Sequence, residues 1–199
     1  MWETRFQTPD YVFGKAPARF LPDHADYLTP GLSALSVADG EGRNSVYLAR
    51  QGLTVTALEF APSAIAKARA LAREHDVEVD LHKADVIADP FPVKGPFDIT
   101  LGIFIQFVGP KERAALFDKM AQTTAPGGLL MLHGYTPKQL DYGTGGPRAL
   151  ENLYTPDLLA GAFSGWEILE NRPHERDLDE GKGHSGRSAL IDFIARKPL

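Results

Sequence analysis

The chain contains no cysteine, which excludes disulfides, thiolate metal ligands and a cysteine nucleophile together. It has no run of 18 or more apolar residues, so nothing reads as a membrane span. Basic charge is also short. Lysine and arginine number 21 against 26 acidic residues, a net charge of -5, without the basic footprint of a protein that grips polymeric phosphate. The opening "MWETRFQTPD" mixes both signs of charge and lacks the apolar core of a secretory signal. These absences lead us to expect a cytoplasmic protein that handles a small molecule, with neither nucleic acid nor membrane as partner. His24, His75, His82, His133 and His174 fall in no ligand spacing such as H-x-x-x-H, so no metal site is expected. Repeats, low-complexity segments and linkers are missing too, and the 199 residues read as one domain.

What is present is a rhythm. Short strand-like runs alternate with helical patterns: "ALSVA" then Ser45 to Gln51, "LTVTALEF" then Ser63 to His75, "VEVDLHKAD" then a Pro/Gly loop, "FDITLGIFI" then Lys111 to Thr123, and "GGLLMLHGY" after a "TAPGG" turn. Such alternation implies parallel strands joined by crossover helices, an α/β doubly wound sheet of Rossmann type. Ser63, following Pro62, stands where an N-cap belongs, with Ile65, Ala68, Leu71 and Ala72 behind it at helical spacing. The end of the chain differs. "GWEILENRPHERDLD" and "GRSALIDFIARKP" are strand-like runs joined by "EGKGHSG" with no helix between them, so the last strand is expected to run antiparallel.

In a doubly wound sheet, ligands bind beyond the carboxyl ends of the parallel strands. The string "ADGEGRNS" lies at the first such end. Gly40 and Gly42 there permit a tight turn and close backbone approach, and free amides at a helix start attract an anionic group. An isolated Gly-x-Gly is also an ordinary turn. Glu59 ends the second strand about twenty residues later, where nucleotide-binding sheets hold ribose hydroxyls; taken alone it is equally a solvated strand-end acid. Asp85 ends the third strand in "KADV", placed to accept from an adenine amine or simply to form a turn. Together the three strand ends outline an adenosine site. A dinucleotide oxidoreductase using NAD(P) is the competing reading, because Gly40-x-Gly42-x-x-Ser45 nearly meets the glycine fingerprint. It lacks the third glycine and a second mononucleotide half.

The strings "GEGRNSVYLARQGLTVTALEFAPSAIAKARALA", "APGGLLMLHGYTPKQLDYGTGGP" and "LDEGKGHSGRSAL" resemble small bacterial class I S-adenosylmethionine-dependent methyltransferases of the tellurite-resistance/thiopurine-methyltransferase-like group. The resemblance implies a seven-stranded sheet, mostly parallel with the last strand antiparallel, and S-adenosylmethionine as cofactor. It implies that Gly40 and Gly42 line the methionine part, where Ala38 could still permit close backbone approach, and that Glu59 holds the ribose. Phe60 and Ala61 would flank the adenine, Asp85 and Val86 would meet its polar edge, and Gly102, Ile103 and Phe104 would lie under the sulfonium. Residues 1–28 would form a flap over the cofactor, with Tyr11, Phe13 and Gly14 at the matching positions and Ala18 in place of a frequent asparagine. The chain departs from the pattern at Ser36 and Ala38, where the family has an acid and a glycine. Asp39 could replace that missing acid as partner of the methionine ammonium. Gln106 stands where many relatives have histidine, so that role does not transfer.

Methyl transfer from a sulfonium needs alignment and exclusion of water, and a base only when the nucleophile arrives protonated. The loops after the fifth and sixth strands bring Tyr135, Tyr142, Glu180, His184 and Arg187 to the acceptor side. His184 is the candidate base, since imidazole titrates near neutrality, and Tyr142 and Tyr135 are candidate walls or hydroxyl donors. Each has a plainer reading: a loop histidine, packing rings, a solvated arginine. We expect a small-molecule acceptor and a monomer or homodimer. A module that binds the cofactor without turnover stays open.

Overall fold

The structure, a computed structural model, describes residues 2–181 and 184–199. Two residues of the "EGKGHSG" loop, 182 and 183, therefore lie outside the described residues.

Strands β1 (Ser33–Val37), β2 (Thr54–Glu59), β3 (Asp80–Lys83), β4 (Phe97–Ile103), β5 (Thr124–Tyr135), β6 (Glu167–Asp179) and β7 (Ser185–Arg196) form one sheet in the order β3-β2-β1-β4-β5-β7-β6. The first five pair in parallel, while β7 runs antiparallel to both β5 and β6. This is the expected doubly wound sheet with its antiparallel last strand. Strand order reverses at β1, between β2 and β4, and a ligand cavity belongs beyond that switch point.

Alternation along the central strands divides the core. Leu130, Leu132, Ile191 and Phe193 meet Leu116, Phe117 and Met120 of α5 (Pro110–Thr123) and Leu159 of α6 (Pro156–Ala162). Leu129, Met131 and Ile194 point to the other face, with Phe20 and Leu21 of α2 (Phe20–Asp23) and Leu48 of α3 (Arg43–Arg50). Period-two burial on both faces is what a sheet covered on each side requires.

Several elements differ from the sequence reading. The opening segment, expected as a flap, carries α1 (Trp2–Phe6) and α2, and α6 has no counterpart in the sequence reading. Only Asp80–Lys83 of "VEVDLHKAD" is strand. Ser63 is not an N-cap: α4 (Pro62–Glu74) starts one residue earlier, with Ala61 at the cap and no side-chain capping bond. Glu3 of α1 supplies the acceptor instead. Its carboxylate takes the Ser63 amide at 3.1 Å and the Ser63 hydroxyl at 2.6 Å, so a bond expected within one helix joins two. No helix among the described residues is long and apolar enough to cross a membrane.

Candidate active site

A cavity of about 400 Å³ opens at the carboxyl ends of β1, β2 and β4, roofed by α1 and Phe13. Ala38, Asp39, Gly40, Glu59, Phe60, Asp85, Val86, Phe104, Phe13 and His184 line it, so these predicted positions converge. Its wall also includes Trp2, Phe6, Phe107 and Val108, which the sequence reading did not name.

The turn after β1 is built for close approach. Gly40 holds φ +68, a left-handed conformation glycine adopts without strain, and its amide donates to Glu59 Oε2 at 2.8 Å. Glu59 Oε1 accepts the Ala61 amide at 2.8 Å. Burial pushes the Glu59 carboxyl above its usual range despite these amides. Ala38 and Phe104 take φ +53 and +55, uncommon for residues with a Cβ. Backbone strain of this kind concentrates at functional sites.

Asp39 is buried, and its oxygens are gripped by two serines: Ser36 Oγ donates at 2.7 Å and Ser45 Oγ at 2.5 Å, with the Ser45 amide at 3.2 Å. Burial pushes its carboxyl up, against those hydrogen bonds. Asp85 Oδ1 accepts the amides of Ile87 and Ala88, at 3.0 and 3.1 Å, so it does form the turn of its plainer reading while also facing the cavity.

His184 packs between Phe13 and Phe104, with ring centroids at 4.6 and 4.1 Å. Its Nδ1 is buried without a hydrogen-bond partner among the described residues. Burial first, then the Arg43 guanidinium, pulls the imidazole down to about 3, so the ring is neutral at physiological pH.

Other predicted positions lie away from the cavity wall. Gly42, at φ +90, serves helix packing: a Cβ there would come within 2.7 Å of Ala68 on α4. Gly102 is within β4, where an added Cβ would meet Ile105 and Leu132 in the core. Ala61 packs with Phe6 and Ala64 beneath α1. Tyr11, half-buried, packs against the Val46, Leu71 and Ala72 cluster and donates its hydroxyl to the Lys67 carbonyl at 2.9 Å. Gly14 abuts Gly181. Tyr135 sits behind Phe104, 4.8 Å between centroids, with its hydroxyl buried and unpartnered. Tyr142 donates to Glu175 at 2.5 Å on β6, beside Arg187, which pairs with Glu175 and Asp177. Neither Tyr142 nor Arg187 reaches the cavity. Gln106 bonds both polar groups of the Tyr135 backbone, at 2.6 and 2.8 Å, and so fixes the end of β5.

The remaining charges of the opening loop hold the N-terminal segment. Glu41 Oε2 accepts the Val12 amide at 2.8 Å, and Lys67 Nζ holds its other oxygen at 2.7 Å. The spacing argument about histidines also needs correction. His133 and His174 meet Asp192 within 4.8 Å, and His24 and Glu170 share the same aspartate, because neighbouring strands and α2 unite residues far apart in sequence. Arg172 also pairs with Asp192, at 2.8 Å.

A mixed seven-stranded sheet with a cavity at its switch point has the fold of the class I methyltransferases. Residues 34–128 match the methyltransferase-domain family. The curated relatives include a carboxy-S-adenosyl-L-methionine synthase from Vibrio campbellii, 23% identical over 96% of this chain and 89% of that one. Similar solved structures include an S-adenosylmethionine-dependent methyltransferase from Methanosarcina mazei, with TM-score 0.73 and 20% identity over 89% of this chain and 98% of that one. TehB from Haemophilus influenzae gives TM-score 0.72 and 19% identity, covering 98% of this chain and 65% of TehB. The chain is thus similar to methyltransferases, in sequence over residues 34–128 and in fold over most of its length. That similarity favours the methyltransferase reading over the dinucleotide one.

Proposed function

We propose that the protein methylates a small acceptor inside this cavity, with residues 1–28 as its cover. The supporting observation is the convergence of Asp39, Glu59 and Asp85 from three strand ends on one cavity of about 400 Å³, a size suited to small ligands. The residues suit the cofactor. Glu59 has two carboxylate oxygens held in place by amides and suits vicinal hydroxyls. Asp39 suits the methionine ammonium, and Phe60, half exposed, with Val86 and Ile87 suits an adenine ring. When bound, S-adenosylmethionine supplies an activated methyl group for in-line displacement.

The chain's own task is then placement. Phe13, Phe104 and Phe107 exclude water and align the acceptor. His184, neutral between two rings, can accept a proton or a hydrogen bond from an acceptor that arrives protonated. Tyr135 supports this wall from behind. Within the class, the quoted motif strings favour the tellurite-resistance/thiopurine-like group, whose acceptors are thiols or tellurium and selenium oxyanions.

The test is an acceptor screen of wild type and His184→Ala by release of S-adenosylhomocysteine. His184→Ala should lower turnover at least tenfold while retaining cofactor affinity; wild-type turnover on the accepted substrate removes His184 from the reaction.

A further inference from the structure

Glu180 follows the last residue of β6 and is 9% exposed, outside the cavity wall. Its carboxylate reaches two segments distant in sequence. Oε1 accepts the Arg19 amide at 3.0 Å, and Oε2 faces Arg43 Nη1 at 2.8 Å. Arg43 is itself buried, at the entrance to α3, and its Nη1 also donates to the Phe13 carbonyl at 3.4 Å. The Glu180 backbone closes the hairpin end, its amide donating to the His184 carbonyl at 2.9 Å. Beside it, Gly181 presses on the N-terminal segment so closely that a Cβ would lie 2.7 Å from the Gly14 amide nitrogen.

A buried carboxylate is costly unless it is paired, and here Oε1 takes the Arg19 amide while Oε2, which has no hydrogen-bond partner among the described residues, faces the Arg43 charge. Three separate pieces meet at one side chain: the segment carrying Phe13, the loop that enters α3, and the hairpin carrying His184. Phe13 and His184 are the ring pair at the acceptor side of the cavity. We propose that Glu180 is a positioning residue whose carboxylate assembles the acceptor wall, fixing Phe13 and His184 against each other through Arg19 and Arg43. This rests on reading the cavity as the methyl-transfer site.

The experiment compares wild type, Glu180→Gln and Arg19→Pro by amide hydrogen exchange and by titration with S-adenosylhomocysteine. Glu180→Gln keeps the shape but removes the charge facing Arg43. Arg19→Pro deletes the amide donor together with the exposed Arg19–Asp23 ion pair, for which Arg19→Ala is the control, and the native φ of -56 at Arg19 suits proline. The expected result is exchange at residues 12–20 faster by about tenfold or more in both variants, with β1, β4 and β5 protected as in wild type. Affinity for S-adenosylhomocysteine should fall about tenfold in Glu180→Gln, equivalent to about 1.4 kcal/mol. Unchanged exchange at residues 12–20 overturns the proposal, as does a uniform rise across the sheet, which marks a merely structural role. If Glu180→Gln fails to fold, Arg19→Pro decides alone by the same local reading. Failure of wild type to bind S-adenosylhomocysteine counts against the cofactor site, and the exchange arm still decides the role of Glu180.

Discussion

At the scale of the residue, the site is a set of carboxylates held where ionisation is costly. Burial raises Asp39 and Glu59 in the free protein, while an ammonium or a ribose favours their charged forms. Within the raised range where these carboxyls titrate, ligand binding expels protons, so affinity for S-adenosylhomocysteine should fall as pH drops through it. Calorimetry in buffers of different ionisation enthalpy reads this directly. Asp39→Asn should weaken binding about tenfold or more, since a charge-assisted hydrogen bond contributes roughly 1.5–3 kcal/mol; wild-type affinity would remove Asp39 from the ammonium site. His184 works in the opposite sense. Its folded value of about 3 lies below the ordinary 6.5, so the unfolded chain binds the proton more readily. The stability it contributes is complete above the ordinary value and is lost as pH falls toward 3, by up to a few kcal/mol. His184→Gln should flatten the fall in denaturation midpoint over that window.

At the scale of the element, strand ends were legible because periodicity and turn chemistry are local. Glu59, Asp85 and the glycine loop could be placed from spacing alone. The partners of those residues were not legible. Gly42 reads as a ligand glycine until α4 is brought against it, and Tyr142 reads as an acceptor wall until β6 places Glu175 under its hydroxyl. Glu41 and Arg43 stood in the quoted loop, but a charge in a loop does not declare which distant segment it will hold. Gly42→Ala should destabilise the fold by about 1–3 kcal/mol through strain and the clash with Ala68, measured by chemical denaturation. Beside the Phe6 contact with Ala61 and Ala64, Glu3 helps dock α1, and its hydrogen bonds from Ser63 hold its carboxyl below the usual range. Acid should therefore release α1 as pH falls through that range, and Glu3→Gln should release it at neutral pH. Trp2 fluorescence reports both, since Trp2 stacks on Phe6 at 5.8 Å.

At the scale of the whole molecule, the sheet places one cavity at its switch point and the chain folds its N-terminal segment over it. The net charge of -5 is uneven at this site, where Asp39, Glu41, Glu59 and Asp85 line the cavity with Arg43 as its one lysine or arginine among the described residues. Such a wall favours a ligand with cationic and hydroxyl groups over a polyphosphate. The most direct measurement is calorimetric titration of the protein with S-adenosylmethionine, S-adenosylhomocysteine and NADH. The site described here predicts one-site binding of the first two and none of the third. Binding of NADH in their place, or of none of the three, would contradict it.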